Sequence, residues 1–145
     1  MKFKVEAVNI AAAKGVPKHE VPEIVLKENL GIVGDAHAGG WHRQVSLLAG
    51  EAVDAMKAKG LDLAAGAFGE NIVTRGVDWS RARVGDTITI GEVELEITQI
   101  GKECHSRCAI YYAAGDCIMP KQGIFARVRK GGTIHAQSSG DHRIG

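Results

Sequence analysis

Hydrophobic and polar residues alternate over much of the chain with the two-residue period of half-buried strands. In KFKVEAVNI, Phe3, Val5 and Ala7 share one face while Lys2, Lys4 and Glu6 share the other. EIVLKENLGIVGD predicts a second strand that runs into a turn at Gly34 and Asp35, and RQVSLL predicts a third, short strand. DTITIGEVELEITQI reads as a hairpin. Ile88 and Ile90 alternate with Thr87 and Thr89, the chain turns near Gly91 and Glu92, and Val93, Leu95 and Ile97 resume the apolar face. GIFARVRKGGTIHA predicts another hairpin that turns at Gly131 and Gly132.

GEAVDAMKAKG breaks this pattern. It is rich in helix formers, with apolar Val53 and Met56 at helical spacing and Gly60 placed to stop the helix. A shorter helical piece is expected over residues 109–114, ahead of a turn at Gly115 and Asp116. Residues 136–145, with the polar run SSGDHR, read as a loosely held tail. Many short strands with glycine-marked turns favour a mostly β fold, a barrel or sandwich with a few peripheral helices. With no repeat or linker in the sequence, residues 1–145 read as a single domain.

Composition narrows the function classes. The chain is 45% hydrophobic and 24% charged, which is a globular balance. Its 18 Lys and Arg against 17 Asp and Glu give a net charge of +1, with none of the basic excess that nucleic acid or a membrane surface demands. No apolar run approaches the roughly 18 residues of a membrane span, and Lys4 and Glu6 interrupt any signal-like segment. A cytoplasmic location is expected.

Three residue clusters bear chemistry. The first is GKECHSRCAIYYAAGDC, which holds all 3 cysteines of the chain: Cys104, Cys108 and Cys117. An odd number packed into a short stretch points to reactive or ligating thiols rather than a disulfide framework. Lys102, His105 and Arg107 supply cationic neighbours that favour the thiolate, while Glu103 opposes them. The competing reading makes the cysteines small buried hydrophobes, which suits Cys117 beside Ile118 and Met119 best. Zinc ligation by Cys104, His105, Cys108 and Cys117 is disfavoured, because the spacing lacks a C-x2-C knuckle and an adjacent Cys-His pair ligates one ion poorly.

The second cluster is GDAHAGGWHRQVSLL. Its glycines allow close backbone approach to a ligand, Arg43 offers a fork to an anion, and His37 or His42 offers proton transfer near neutral pH. A solvated turn is the competing reading. The third is AFGENIVTRG, where Glu70 and Asn71 open a strand and suit structural capping or ligand orientation.

Together with VGDTITIG, LEITQIGKECHSRC and GIFARVRKGG, these segments resemble the MOSC domain, named for the C-terminal domain of molybdenum cofactor sulfurases, in its small stand-alone bacterial form. The resemblance runs from about Val5 to Thr133 in the family's order. It implies a β-barrel and a role around sulfur and the molybdenum cofactor. It further implies a working thiol at Cys104, matched by its distance from the LEITQ strand, or at Cys108, matched by the Arg107-Cys108 pair. Asp35, His37, His42, Arg43, Glu70, Asn71, Phe125 and Arg127 would face that thiol, with Lys102, His105 and Arg107, as a cofactor-binding pocket. Cys104 would be the ligand if molybdenum is bound.

One departure stands out: GGTI runs into HAQSSGD, so Gly140 and Asp141 are displaced from the family's closing hairpin. The resemblance implies a sulfur carrier that accepts sulfur as a cysteine persulfide from a cysteine desulfurase-like donor and passes it to a molybdoenzyme or cofactor-biosynthesis protein. Pyridoxal phosphate would belong to that partner. The rival expectation is a binding module for molybdenum or its pterin cofactor without chemistry of its own. Reduction of N-oxygenated compounds is a third expectation and the weakest, since relatives with that activity have an additional N-terminal region.

Overall fold

The computed structural model describes residues 1–13, 16, 18–60, 62–101 and 123–143. Seven strands close a barrel: β1 (Lys2–Ile10) pairs with β11 (Ser139–Arg143), and the ring continues through β7 (Thr87–Ile90), β8 (Val93–Ile100), β9 (Ile124–Lys130), β5 (Val45–Ala49) and β6 (Ile72–Arg75) back to β1. β2 (His19–Val21) extends the far end of β1. A separate sheet of β10 (Gly132–His135), β3 (Glu23–Lys27) and β4 (Gly31–Ile32) lends Ile24, Leu26, Ile32 and Ile134 to the barrel core. Closure leaves few exposed strand edges, which is what a short, mostly antiparallel chain gains from a barrel.

The predicted alternation is realised in β1, where Phe3 and Val5 point inward. A bulge at Glu6 then shifts the register on β6 from Val5–Thr74 to Ala7–Val73, and Ala7, Val8 and Asn9 are all buried beyond it. The β7–β8 hairpin forms as predicted, turning on Gly91 at φ 58°. The predicted helix is α1 (Gly50–Lys57), which buries Val53 and Met56 and is followed by Gly60 at φ 90°. α1 crosses between β5 and β6, which pair in parallel. β5 is therefore buried on both faces: Val45 and Leu47 enter the barrel, whereas Leu48 packs outside with Val53, Met56, Phe68 and Phe125.

Three expectations differ from the structure. EIVLKENLGIVGD is two paired strands, because Asn29 adopts φ 57° and reverses the chain. GIFARVRKGGTIHA is not a hairpin: β9 pairs with β8 and β5, and β10 pairs with β3. At Gly131 the backbone passes so near β3 that a Cβ would lie 2.4 Å from the Leu26 carbonyl oxygen. SSGDHR is no loose tail but part of β11, which pairs with β1 and β7 and completes the barrel. Its His142 is buried against Trp79 and hydrogen-bonds Asp86 at 2.8 Å. Trp79 is core, donating its indole N–H to Thr74 Oγ1 at 2.9 Å. The expected helix at residues 109–114 lies outside the described residues.

Candidate functional site

Strand alternation fixes one wall of the site. Ile124, Ala126 and Val128 of β9 face the core, so Phe125 and Arg127 face the outer side of the barrel. Ser46 of β5 is paired with Phe125. Over this wall folds the glycine-rich loop that precedes β5. Buried Gln44 ties the loop down, its Nε2 donating to the Gly39 carbonyl at 2.9 Å and its Oε1 accepting from the Val128 N–H at 3.0 Å. The result is a recess of about 60 Å³ lined by His37, Trp41, Arg43, Ser46, Gly69, Asn71 and Phe125.

Arg43 is its principal charge. The guanidinium carbon lies 4.7 Å from the Trp41 ring centroid and 5.6 Å from that of Phe125, so two aromatic faces hold the cation. Among the described residues, Arg43 Nε is buried without a hydrogen-bond partner, as is Arg127 Nε. Buried donors are nearly always satisfied, so the orphaned Arg43 Nε beside the recess marks a place for an acceptor. Trp41 is itself held by an indole N–H bond to the His37 carbonyl at 2.7 Å, and its ring stacks on His37.

Asp35 lies behind the recess. Its Oδ1 accepts from the Ala11 N–H at 3.1 Å and from Lys18 Nζ at 2.7 Å, and its Oδ2 accepts from the His37 N–H at 3.2 Å. The Lys18 and Asp35 side chains are 1% and 0% exposed, so this is a fully buried ion pair. Lys18 Nζ is also 2.9 Å from His37 Nδ1. Glu70 is committed to a turn: its two oxygens accept from the Gly66 and Phe68 N–H groups at 2.9 and 3.0 Å. Burial pushes its carboxyl above the ordinary glutamate range, against the pull of those backbone bonds and of Lys18.

Asn71 staples three strands, accepting from Ser46 N–H and hydroxyl on Oδ1 and donating from Nδ2 to the Asn9 carbonyl. His42 lies exposed beyond Trp41, where its Nε2 meets Gln99 Oε1 at 2.7 Å and Thr98 Oγ1 donates to its carbonyl. Thus the structure brings His37, Arg43, Asn71 and Phe125 together at the recess. It places Asp35 and Glu70 behind the wall as organisers, His42 to one side, and Arg127 two positions along β9 from Phe125.

Cys104, Cys108, Lys102, His105 and Arg107 lie outside the described residues. That segment leaves the description at Gly101 and re-enters at Gly123, where the Gly101 N–H donates to the Gly123 carbonyl at 2.7 Å, two residues before Phe125. Sequence reasoning missed Lys18, Gln44 and Ser46. Lys18 sits in no periodic segment, and the other two look like ordinary strand residues. Trp41 carried a usable signal, an indole two positions from an arginine in a glycine-rich loop. A wider groove of about 800 Å³ opens elsewhere, between Met1, α1 and Trp79. Its acids Glu51 and Asp78 already bind the N–H groups of Gly76 and Ser80. Among the described residues no three His, Cys, Asp or Glu side chains form a metal site, and no helix is long and apolar enough to cross a membrane.

Fold and recess define the class: a small closed β-barrel domain whose outer wall carries a loop-built, cation-lined recess. A family model described as the MOSC domain matches residues 34–139, and the chain belongs to that family, which is linked to molybdenum-cofactor systems. The fold is shared with the YuaD protein of Bacillus subtilis at a TM-score of 0.83 and 18% identity, covering 100% of this chain and 98% of that one. It is also shared with YiiM from Escherichia coli at a TM-score of 0.67 and 22% identity, covering 100% and 71% of the two chains. YiiM from Geobacillus stearothermophilus gives 0.68 and 19%, covering 94% and 72%. No curated protein sequence matches the chain.

Proposed function

We propose that this domain binds an anionic group of the molybdenum cofactor, with the recess around Arg43 as its anchor. The observation that carries the reading is the buried Nε of Arg43, which has no partner among the described residues, on a guanidinium held between Trp41 and Phe125. The donor chemistry fits: an arginine fork is suited to phosphate or an oxo-anion. The size also constrains the fit. Pockets that enclose a whole small molecule run to roughly 300–1,000 Å³, so the recess of about 60 Å³ suits one anionic head rather than an entire pterin.

When bound, the cofactor would supply a thiophilic metal centre. Within the chain, Arg43 would hold the anion and Trp41 and Phe125 would orient the guanidinium plane and keep it partly dry. Asp35, Glu70 and Asn71 would keep the loop and turn in place. Protein purified from a cofactor-competent host should carry pterin and molybdenum, and Arg43→Met should carry far less. Equal loading of the two proteins would overturn the reading.

The anchoring of the cysteine segment at Gly101 and Gly123, next to Phe125, favours a second reading as a sulfur carrier. A thiolate at Cys104 or Cys108 would attack the terminal sulfur of a persulfide on a desulfurase-like donor. The donor's S–S bond breaks, the donor cysteine leaves as thiolate, and the chain holds the persulfide for an acceptor protein. Incubation with a cysteine desulfurase and cysteine should add ~32 Da, the mass of one sulfur in a persulfide, and Cys104→Ser or Cys108→Ser should abolish the addition. No mass gain would exclude this reading.

A further inference from the structure

We infer that Gln44 is a positioning residue for Arg43: its side-chain amide takes the ladder rung that the Arg43 backbone would otherwise fill, and so turns the Arg43 side chain onto the recess. Strand β5 pairs with β9 through Leu47–Ile124, Ser46–Phe125 and Val45–Ala126, and the pairing stops there. Continued in the same register, Gln44 would oppose Arg127 and Arg43 would oppose Val128. Alternation would then point Arg43 to the side of Val45 and Leu47, into the barrel core. The structure places it on the other side, with its guanidinium over Trp41 and Phe125.

Val128 is what blocks the next rung. A hydrogen-bonded antiparallel pair exchanges two N–H···O bonds, so Arg43 would need both backbone groups of Val128. The Val128 N–H already donates to Gln44 Oε1 at 3.0 Å, and its carbonyl accepts from the Asn29 N–H at 3.0 Å. The other end of the same amide donates from Nε2 to the Gly39 carbonyl at 2.9 Å, which closes the loop carrying Trp41 and Arg43. Gln44 is fully buried, and β4 packs on its backbone: a Cβ on Gly31 would lie 2.9 Å from the Gln44 carbonyl oxygen. The chemistry is particular to glutamine. A backbone N–H needs an acceptor and a backbone carbonyl needs a donor, and one side-chain amide of this length supplies both. Glutamate lacks the donor, methionine lacks both, and asparagine is one methylene shorter. That Arg43 then meets an anion rests on the reading proposed above; that Gln44 places it does not.

The test is NMR on the full, isotope-labelled chain. In wild type, a scalar coupling across the hydrogen bond should join the Val128 amide nitrogen to the Gln44 side-chain carbonyl carbon. A coupling from Val128 to the Arg43 backbone carbonyl carbon, or none where the β5–β9 rungs show theirs, would overturn the proposal however any variant folds. The Arg43 side-chain protons, assigned by their loss in Arg43→Lys, should be shifted upfield by the Trp41 and Phe125 rings. In Gln44→Met that shift should collapse while the amide spectrum of β7 and β8 stays in place. A shift that persists in the folded variant would overturn the positioning role. Gln44→Glu, which keeps an acceptor for Val128 and loses the donor to Gly39, is read the same way should Gln44→Met not fold. Adding sodium molybdate separates the two ideas. Binding by Gln44→Met that is nearly as weak as that of Arg43→Ala supports both. No binding by wild type that shows the coupling and the upfield shift removes the anion and leaves the placement standing.

Discussion

Breaking the Lys18–Asp35 pair should cost more than replacing it. Both side chains are buried, and Asp35 also accepts from the Ala11 and His37 N–H groups. Removing one partner of a buried ion pair leaves an uncompensated charge and costs about 3–5 kcal/mol, whereas substituting both by apolar residues is often nearly neutral. Asp35→Leu adds to that the loss of acceptors for two N–H groups, at about 1–3 kcal/mol each. Lys18→Met and Asp35→Leu should each destabilise by about 3–5 kcal/mol or more, a large part of the ~5–15 kcal/mol that holds a domain folded. The double variant should lose well under the sum of the two, leaving a coupling of several kcal/mol. Urea unfolding followed by the fluorescence of buried Trp79 reads all four corners of the cycle. Additivity within ~0.5 kcal/mol, the behaviour of independent sites, would refute the account of a buried pair that organises the loop.

Asn71→Ala strands the Ser46 N–H and the Asn9 carbonyl in a buried junction of β1, β5 and β6 and should cost about 2–5 kcal/mol by the same urea assay. Glu70 gives a pH signature. Because burial raises its folded pKa, the stability linked to its proton is present below the unfolded value of about 4.3 and is lost as pH rises through the higher folded value. Glu70→Gln cannot ionise, so its stability relative to wild type should climb with pH across that window, as unfolding curves at stepped pH would report. Gly66→Ala places a Cβ 2.2 Å from the Lys18 carbonyl oxygen at φ 89° and should destabilise by at least about 2 kcal/mol, measured by thermal unfolding.

The barrel was largely legible because its signal is local. Alternation in β1, β7 and β8 and the helical spacing of Val53 and Met56 in α1 are set by which faces are buried. Legibility failed where pairing is non-local. Nothing in GIFARVRKGGTIHA says that Gly131 abuts Leu26 and sends β10 to β3, and nothing in SSGDHR says that its polar face is exposed while Gly140 and His142 turn inward. The site follows the same division. Residue types in the glycine-rich loop pointed to Arg43 and His37, which the fold does bring to one recess. The same motif placed Asp35 beside them, but its role depends on Lys18, 17 residues earlier and on a different segment. For Glu70 and Asn71 the residue types allowed structural capping or ligand orientation, and their side chains are occupied by the backbone they hold, as capping requires.

The most direct measurement is calorimetric titration of the full chain with sodium molybdate at neutral pH, run beside Arg43→Lys and Arg43→Ala. A hydrogen bond to a charged group contributes about 1.5–3 kcal/mol, and every 1.4 kcal/mol is roughly tenfold in affinity. Wild type should bind one anion, and Arg43→Ala should bind roughly 10- to 150-fold more weakly. Arg43→Lys should not recover the loss, because an ammonium lacks both the Nε donor and the planar face that Trp41 and Phe125 hold. Affinity that is absent in wild type, or unchanged by either substitution, would contradict the assignment of this recess to an anion.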